Sequence, residues 1–291
     1  MSAAPGSPSD APDLPAGWER VSGSRGAWLA GRLDVLRELE SAGFGPDVDG
    51  SLVQTRLGGR GSVGELRTEH FELLVRRYRR GGLLGAARGE RFADPRRALS
   101  EVGVGLALMQ RGVRTPEPLG VRVRPHERGG LRLELLLERR VDAVDFGRAW
   151  LGADASLRQG LERELGAFVA ALHGHGLIHR DLHWRNLLVE PQAPAGERLW
   201  IIDLDRASFA DARLDRPARL AQWSRFWRAF DKRRRAGAPA PGATSAKRAL
   251  SAYVESQDDP DAWIRDVHAR LTWRRRLQRL RPRPRIEDLR V

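Results

Sequence analysis

The residues best placed to do chemistry lie in one short segment, which reads His-Arg-Asp-Leu-His-Trp-Arg-Asn from His179 to Asn186. The segment fits the spaced pattern H-R-D-L-x-x-x-N, with all five specified positions of the eight matching. In that pattern the aspartate, here Asp181, accepts the proton of an attacking hydroxyl group, and Asn186 presents a carbonyl oxygen to Mg²⁺. A helix–strand loop that contains these residues by chance is the alternative. Five matches favour a catalytic loop for phosphoryl transfer.

A carboxylate pair follows an apolar run further along the chain. Residues 200–202 read Trp-Ile-Ile, and Asp203, Leu204 and Asp205 come directly after them, with Asp203 seventeen residues beyond Asn186. A carboxylate at the end of such a strand is typical of the D-F-G position, which holds Mg²⁺ between nucleotide phosphates. Asp203 is the predicted ligand because it follows the apolar run, and Asp205 is the alternative. Since leucine replaces the phenylalanine, the Phe-based switch of regulated protein kinases is absent.

A glycine-rich segment earlier in the chain has the form G-x-G-x-x-G. A dinucleotide-binding fold would need a helix directly after such a segment, whereas both flanks here are strand-like. Glycines in a hairpin allow the backbone to close over phosphates, with amide N–H groups as donors. The predicted phosphate-covering residues are Gly59, Arg60, Gly61, Ser62 and Gly64.

The cation that holds nucleotide phosphates is expected on the third strand, paired with a carboxylate of the following helix. Only two of the 51 basic residues are lysines, and both lie beyond residue 231, so an arginine must serve. Residues 73–76 read Leu-Leu-Val-Arg and place Arg76 there, with Glu101 as its natural partner. Arginine keeps the charge and adds a bidentate geometry. Arg77 and Arg79 are the alternatives.

Together these motifs resemble the protein-kinase-like superfamily. Residues 77–85, Arg-Tyr-Arg-Arg-Gly-Gly-Leu-Leu-Gly, are similar to a signature of the bacterial 3-deoxy-D-manno-octulosonic acid (Kdo) kinases of lipopolysaccharide inner-core assembly. The glycine-rich loop, the arginine in the lysine place and residues 202–206 share the similarity, which covers about residues 50–257. One difference is Arg180, because that family has a small residue before the aspartate.

The resemblance implies an ATP- and Mg²⁺-dependent kinase that phosphorylates a hydroxyl of Kdo, the 4-OH, in Kdo–lipid A. It implies Asp181 as the catalytic base and Asn186 and Asp203 as metal ligands. A heptose kinase or another small-molecule kinase of the superfamily is the alternative. An inactive kinase scaffold that binds nucleic acid or membrane through its basic tail is an alternative from another class, but such a scaffold has no reason to keep all three residues. We therefore expect no nucleic-acid partner.

The pattern of apolar, turn and capping residues predicts the elements that position these groups. Strands are predicted at 51–57, 63–69, 71–78, 119–123, 131–138, 187–190 and 199–202, and helices at 18–40, 94–111, 157–173 and beyond 216. This order favours an α+β, protein-kinase-like, two-lobed fold. The predicted divisions are a disordered leader over 1–16, a β-rich N-lobe over 17–140 and a larger α-helical C-lobe over 141–291.

Composition limits the remaining possibilities. The 291 residues include no cysteine, which excludes disulfides and thiolate zinc sites, and they carry a net charge of +13. Residues 1–212 hold 30 basic and 29 acidic groups, whereas residues 213–291 hold 21 basic and nine acidic groups. The basic tail, with Trp273 and the arginines of 274–285, predicts an anionic membrane surface as a partner. We expect a cytoplasmic protein, peripheral on the cytoplasmic face of the inner membrane.

Overall fold

The computed structural model describes residues 13–55, 63–79, 89–139, 142–254 and 260–278. Most of the predicted leader, the glycine-rich positions 59–62, most of the 77–85 signature and the tail beyond 278 therefore lie outside the described residues. The chain divides into two compact units. Unit 1 comprises residues 1–106 and 117–139, and unit 2 comprises residues 107–116 and 140–291.

Unit 1 is built on an antiparallel seven-stranded sheet with the strand order β1-β2-β6-β7-β5-β4-β3. Its strands are β1 (Trp18–Ser22), β2 (Trp28–Arg32), β3 (Val53–Thr55), β4 (Val63–Arg67), β5 (Glu72–Arg77), β6 (Pro118–Pro125) and β7 (Leu131–Glu138). The three strands that follow residue 50 form the predicted meander, and β6 and β7 form the second predicted pair. These strand predictions are confirmed.

Each face of this sheet buries its own apolar cluster. Helix α1 (Leu33–Ser41) contributes Val35, Leu36 and Leu39 to one cluster, together with Leu73 of β5. Helix α2 (Arg96–Gln110) contributes to the other. The Asp94 side chain accepts a hydrogen bond from the Arg96 amide at 2.9 Å, as predicted for the start of this helix. Helix α1 thus packs on one face of the sheet and helix α2 on the other.

The helix predicted over residues 18–40 is wrong for its first half. Those residues form β1 and β2, and only α1 is helical. Gly26, with φ of +84°, lies in the turn between the two strands. Residues 28–30 are apolar and all buried because β2 lies inside the sheet and is covered on both faces. A short continuous apolar run of this kind fits a buried strand as well as a helix, so periodicity alone could not decide.

Unit 2 is mainly helical. Its helices are α3 (Phe146–Gly152), α4 (Ala155–Gly174), α5 (Arg216–Arg235), α6 (Ala243–Val254) and α7 (Pro260–Gln278). Its short strands are β8 (Val144–Asp145), β9 (Leu177–Ile178), β10 (Leu187–Val189), β11 (Leu199–Ile201) and β12 (Ser208–Phe209). The sequence missed α3 and the two-residue strands, which are too short to show a period. Among the described helices, none is both long enough and apolar enough to cross a bilayer.

Candidate active site

The segment 179–186 lies between β9 and β10, and its backbone is braced from inside unit 2. The His179 side chain is buried, and its Nδ1 accepts the Asp181 amide proton at 3.2 Å. Burial lowers the pKa of His179 below its usual value. On α5, the Gln222 side-chain oxygen accepts the His179 amide proton at 2.9 Å, and its amide group donates to the Leu177 carbonyl at 3.3 Å. These bonds fix the backbone from Leu177 to the Asp181 amide, on the N-terminal side of the Asp181 side chain.

Sequence reasoning missed Gln222. The signal was a polar residue among the mainly aromatic and aliphatic buried positions of α5, where it lies beside Trp223. A buried amide needs hydrogen-bond partners, and a loop backbone is a common source of them.

Asp181 and Asn186 differ in exposure although they belong to the same loop. The Asp181 side chain is 65% exposed, as an acceptor-facing base requires, whereas Asn186 is buried. The Asn186 side-chain NH₂ donates to the Asp181 carbonyl at 2.9 Å. That bond occupies the nitrogen end of the amide, so its oxygen is left for another partner.

Asp203 is brought next to Asn186 by strand pairing. Leu187 of β10 pairs with Ile201 of β11, and the Ile202 amide donates to the Asn186 carbonyl at 2.9 Å. Asp203 adopts a left-handed backbone with φ of +58°, which aspartate tolerates better than most residues but which still carries some strain. One carboxylate and one amide oxygen on adjoining segments are ligands that Mg²⁺ prefers, so the residues present fit this ion. Asp205 is also half-buried two residues on.

His183 also lies close to Asp181. Its Nδ1 accepts the Arg185 amide proton at 3.1 Å, and its Nε2 lies 3.8 Å from an Asp181 carboxylate oxygen. Burial is the main cause that lowers the pKa of His183. Because Nδ1 accepts the Arg185 amide proton, the ring proton lies on Nε2, on the side of the carboxylate. It also caps the 3-10 turn Trp184–Asn186.

The predicted phosphate-binding cation lies in unit 1. Arg76 on β5 forms an ion pair with Glu101 of α2. The Tyr78 hydroxyl donates to the same carboxylate oxygen at 2.5 Å, and its ring lies 4.8 Å below the Arg76 guanidinium carbon. Glu101 is only 5% exposed, whereas the Arg76 side chain is 21% exposed. The carboxylate is enclosed, and the arginine side chain is partly exposed.

The two alternative arginines are engaged elsewhere in unit 1. Arg77 Nε donates to Glu134 at 3.1 Å, and Arg79 Nε donates to Glu90 at 2.9 Å. Successive strand residues point to opposite faces of a sheet, so Arg76 and Arg77 point to different faces. Of the three arginines, Arg76 is the one that forms the predicted ion pair with Glu101.

Gly64 has a packing reason of its own. It lies on β4 opposite Val75, and a Cβ atom there would approach the Leu52 Cδ1 atom to 2.6 Å. The absence of a side chain therefore allows Leu52 to pack on the strand. The other predicted phosphate-covering residues, Gly59, Arg60, Gly61 and Ser62, lie outside the described residues.

Comparison with known proteins identifies the family. The model of the lipopolysaccharide kinase (Kdo/WaaP) family matches residues 50–237, which is well over half of the chain. The chain belongs to this family. The resemblance inferred from the motifs is thereby confirmed.

Curated relatives of this family member match it over part of their length. The 3-deoxy-D-manno-octulosonic acid kinase of Vibrio parahaemolyticus is 29% identical over 154 residues, which are 51% of this chain and 61% of that protein. The kinase of the same name from Actinobacillus succinogenes is 31% identical over 136 residues, 45% of this chain and 55% of that one. The matches thus span only a little over half of each relative.

The fold agrees with one solved structure. This family member is similar to WaaP in a complex with acyl carrier protein, with a TM-score of 0.55 and 20% sequence identity, over 86% of this chain and 94% of that one. The likeness confirms the predicted protein-kinase-like α+β fold.

Proposed function

We propose that this protein transfers the γ-phosphoryl group of ATP to a hydroxyl of Kdo, the 4-OH, in Kdo–lipid A. Membership of the lipopolysaccharide kinase family supports a phosphotransferase with an alcohol acceptor. The names of the curated relatives support Kdo as the sugar. The product of such a reaction is a phosphorylated Kdo in the inner core of lipopolysaccharide.

The observation that carries the proposal is the environment of Asp181. Its carboxylate is exposed, while its backbone is fixed by His179 and by Asn186. A base of this kind can accept the hydroxyl proton as the oxygen forms its bond to phosphorus and the bond to the ADP oxygen breaks. Fixing the backbone holds the carboxylate in position before the acceptor arrives.

The remaining roles follow from charge and ligand type. Arg76 would hold nucleotide phosphates, and Glu101 together with Tyr78 would hold Arg76. Asn186 and Asp203 would be the ligands of Mg²⁺, which when bound supplies positive charge to neutralise the phosphates. The glycine-rich residues Gly59 to Gly64 would cover the phosphates with backbone N–H groups.

A transfer assay with purified acceptors tests the proposal. We expect phosphate transfer to Kdo–lipid A and none to heptosylated acceptors that lack a free Kdo hydroxyl. The Asp181→Ala variant should lose transfer yet retain ATP binding, because the base contacts the acceptor and not the nucleotide. Transfer to a heptose instead of Kdo would favour the heptose-kinase alternative, and an absence of transfer to any acceptor would favour an inactive scaffold.

A lipid-borne acceptor also calls for a membrane-associated enzyme. We propose that the protein acts as a peripheral protein on the cytoplasmic face of the inner membrane, attracted to anionic lipids. The excess of basic residues after position 212 supports this location. The arginines of 279–285, which contribute to that excess, lie outside the described residues.

A further inference from the structure

Two arginines of unit 2 lie on the segments that carry the proposed base and the proposed metal ligand. Arg180 directly precedes Asp181, and Arg206 follows Asp203 by three residues. Both arginine side chains are exposed. Over the part of the chain that the structure describes, neither side chain forms a hydrogen bond or an ion pair. Each arginine therefore has a full set of N–H donors available to a ligand.

Strand pairing brings the two arginines to the same end of one ladder. Strands β9 and β12 run antiparallel, and the pair at that end is Ile178 opposite Ser208. Arg180 lies two residues beyond Ile178, and Arg206 lies two residues before Ser208. Continuing the register places the arginines opposite each other, each within about 8 Å of the last pair along the chain. Like charges opposite each other are unfavourable, so this arrangement calls for an anion between them.

The two segments remain in contact beyond the ladder. The Nε2 atom of His179 lies 3.4 Å from the Ile202 carbonyl oxygen. This contact joins the residue before Arg180 to the residue before the proposed metal ligand. The two arginines therefore lie on adjoining segments that border the proposed site.

The backbone at Arg206 supports a role for its charge. Arg206 has φ of +63° and is the third residue of a turn in which the Ala207 amide donates to the Leu204 carbonyl at 2.8 Å. Glycine or asparagine usually occupies a turn position of this conformation, because other residues are strained there. Neither of those residues supplies a cation. A strained arginine at this position indicates that the guanidinium itself is used.

We propose that Arg180 and Arg206 together bind the carboxylate of the acceptor sugar. The proposal rests on the proposed function, because Kdo is an ulosonic acid and carries a carboxylate on the same sugar ring as its 4-OH. Guanidinium groups bind carboxylates through parallel, charge-assisted N–H···O bonds. An acceptor whose hydroxyl meets Asp181 would present its carboxylate no further than the width of one sugar ring from that base.

The arginine pair would also distinguish Kdo from a neutral sugar. A heptose has no carboxylate, so it would leave the two guanidinium groups without a counter-charge. A site built to bind a polar or charged group rejects an analogue that lacks the group far more strongly than an apolar pocket rejects a missing methylene. Arg180 and Arg206 would therefore set the preference for an acidic acceptor.

Binding of a soluble acceptor to the full chain tests this assignment. The probe is the methyl glycoside of Kdo, and the comparison compound is the same glycoside with its carboxylate converted to a carboxamide. The variants are Arg180→Gln, Arg206→Gln and the double variant. The matched control, Arg163→Gln with Lys247→Gln, removes two exposed cations from α4 and α6 and has the same net charge as the double variant.

Isothermal titration calorimetry should show that each single substitution weakens binding of the glycoside about tenfold, and that the double variant weakens it about a hundredfold. The unchanged protein should bind the carboxamide about a hundredfold more weakly than the glycoside, and the substitutions should then have little further effect. The control should bind like the unchanged protein, and the KM for ATP should be the same in all of them. Arg206→Lys should retain more binding than Arg206→Gln because it keeps a cation.

The Arg206→Gly variant separates charge from backbone shape. Glycine adopts a positive φ without strain, so this variant should unfold at a temperature no lower than the Arg206→Gln variant does. It should nevertheless bind the glycoside as weakly as Arg206→Gln. Full binding by Arg206→Gly would show that the turn, and not the guanidinium, is what the acceptor requires, and the assignment would be wrong.

Other outcomes would also overturn the arginine pair. Equal binding of the glycoside and the carboxamide, or no binding of either by the unchanged protein, would show that the carboxylate is not recognised. A raised KM for ATP in the double variant would assign the arginines to nucleotide phosphates. The proposed function fails separately: binding without transfer would refute it and leave the arginine pair standing, whereas transfer with unaltered binding in the double variant would refute only the pair.

Discussion

Unit 1 contains two buried arginine–glutamate pairs that differ in how completely they are enclosed. Arg76 pairs with Glu101, and Arg122 on β6 pairs with Glu134 on β7. The Arg76 side chain is 21% exposed, whereas that of Arg122 is 0% exposed. Both carboxylates are almost fully buried. The pairs thus have the same chemistry, and they differ in how far the arginine side chain is exposed.

The Arg122 pair is closed by protein groups. Its Nε donates to Glu134 at 2.6 Å, and its Nη1 donates to the carbonyls of Gly45 and Val48. Its Nη2 donates to Asp49 at 2.8 Å, and the guanidinium lies 4.0 Å from the centre of the Phe44 ring. Every one of these partners is part of the fold, and they attach the loop after α1 to the sheet.

The comparison separates a fully enclosed ion pair from one whose arginine is partly exposed. Burial lowers the pKa of Arg122, and although burial alone would raise the pKa of Glu134, the neighbouring arginines hold it below its usual value. Arg122 has its hydrogen-bonding capacity committed to protein atoms. Each guanidinium lies over an aromatic ring, so the difference that bears on the proposed phosphate-binding role of Arg76 is its partial exposure.

The largest effect is expected from breaking the enclosed pair of Arg122 and Glu134. Glu134→Gln leaves the buried Arg122 guanidinium without its main counter-charge, so we expect the free energy of unfolding to fall by about 3–5 kcal/mol. Urea unfolding followed by circular dichroism measures this loss. Catalytic activity per folded molecule should change little.

The double variant Arg122→Met with Glu134→Leu is the control. Removing both charges leaves neither enclosed ion unpaired, and Arg77 and Arg124 keep Glu90 and Asp49 as partners, so stability should recover relative to the single variant. If the single variant were as stable as the unchanged protein, the pair would not hold the loop after α1, and the comparison would fail.

The second prediction concerns the partly exposed pair of Arg76 and Glu101, which we call the open pair. Arg76→Ala should reduce kcat/KM by about a hundredfold, the scale for removing one preorganised charge-stabilising donor. Arg76→Lys should retain more activity because it keeps a cation, although it loses the bidentate fork. The loss of stability should be smaller than for Glu134→Gln, since Glu101 keeps the Tyr78 hydrogen bond. Steady-state kinetics of the three proteins decide; equal activity would show that another arginine holds the phosphates.

The two pairs also show what the sequence could predict. Asp181, Asn186 and Asp203 were identified because they lie in short motifs whose spacing reflects their chemistry. The partnership of Arg76 with Glu101 was predicted from the order strand, then helix. Arg122 and Glu134 lie opposite each other on the consecutive strands β6 and β7, but the closure of this pair depends on the loop after α1, which is distant in sequence.

Dependence on residues distant in sequence also explains the wrong prediction over residues 18–40 and the omission of Gln222. Whether Trp28 to Ala30 form a strand depends on neighbours on both sides of β2, which only the folded sheet provides. Gln222 has its role because α5 packs beside the catalytic loop. Local motifs predicted the chemistry, and tertiary packing determined which other groups support it.

A third prediction extends the contrast between enclosed and open groups to the histidines of unit 2. His173 is buried against the Tyr253 hydroxyl at 2.9 Å, and burial, with a smaller effect of the Arg219 charge, lowers its pKa from 6.5 to about 3. Between pH 6.5 and about pH 3, His173 takes up a proton in the unfolded chain but not in the folded protein. Stability is therefore complete above pH 6.5 and decreases as the pH falls, by about 1.4 kcal/mol per unit.

At pH 5 the loss from His173 should be about 2 kcal/mol relative to pH 7.5. Urea unfolding at both pH values, for the unchanged protein and for His173→Gln, measures it, because the variant lacks the titrating group. The pH dependence of the variant should be shallower by that amount. Identical pH dependence in the two proteins would show that His173 is protonated in the folded state.

The smallest effect is expected at Tyr78, which tests whether the open pair is supported as the geometry indicates. Tyr78→Phe removes the hydroxyl that donates to Glu101 but keeps the ring beneath Arg76. A hydrogen bond to a charged group contributes about 1.5 kcal/mol or more, part of which the remaining ion pair retains. We expect the KM for ATP to rise about fivefold, or about 1 kcal/mol, with kcat less affected. Tyr253→Phe removes a buried hydroxyl from unit 2 and is the matched control, which should reduce stability without changing the KM for ATP. An unchanged KM in Tyr78→Phe would mean that the Tyr78 hydroxyl is not needed to hold the Arg76–Glu101 pair in place.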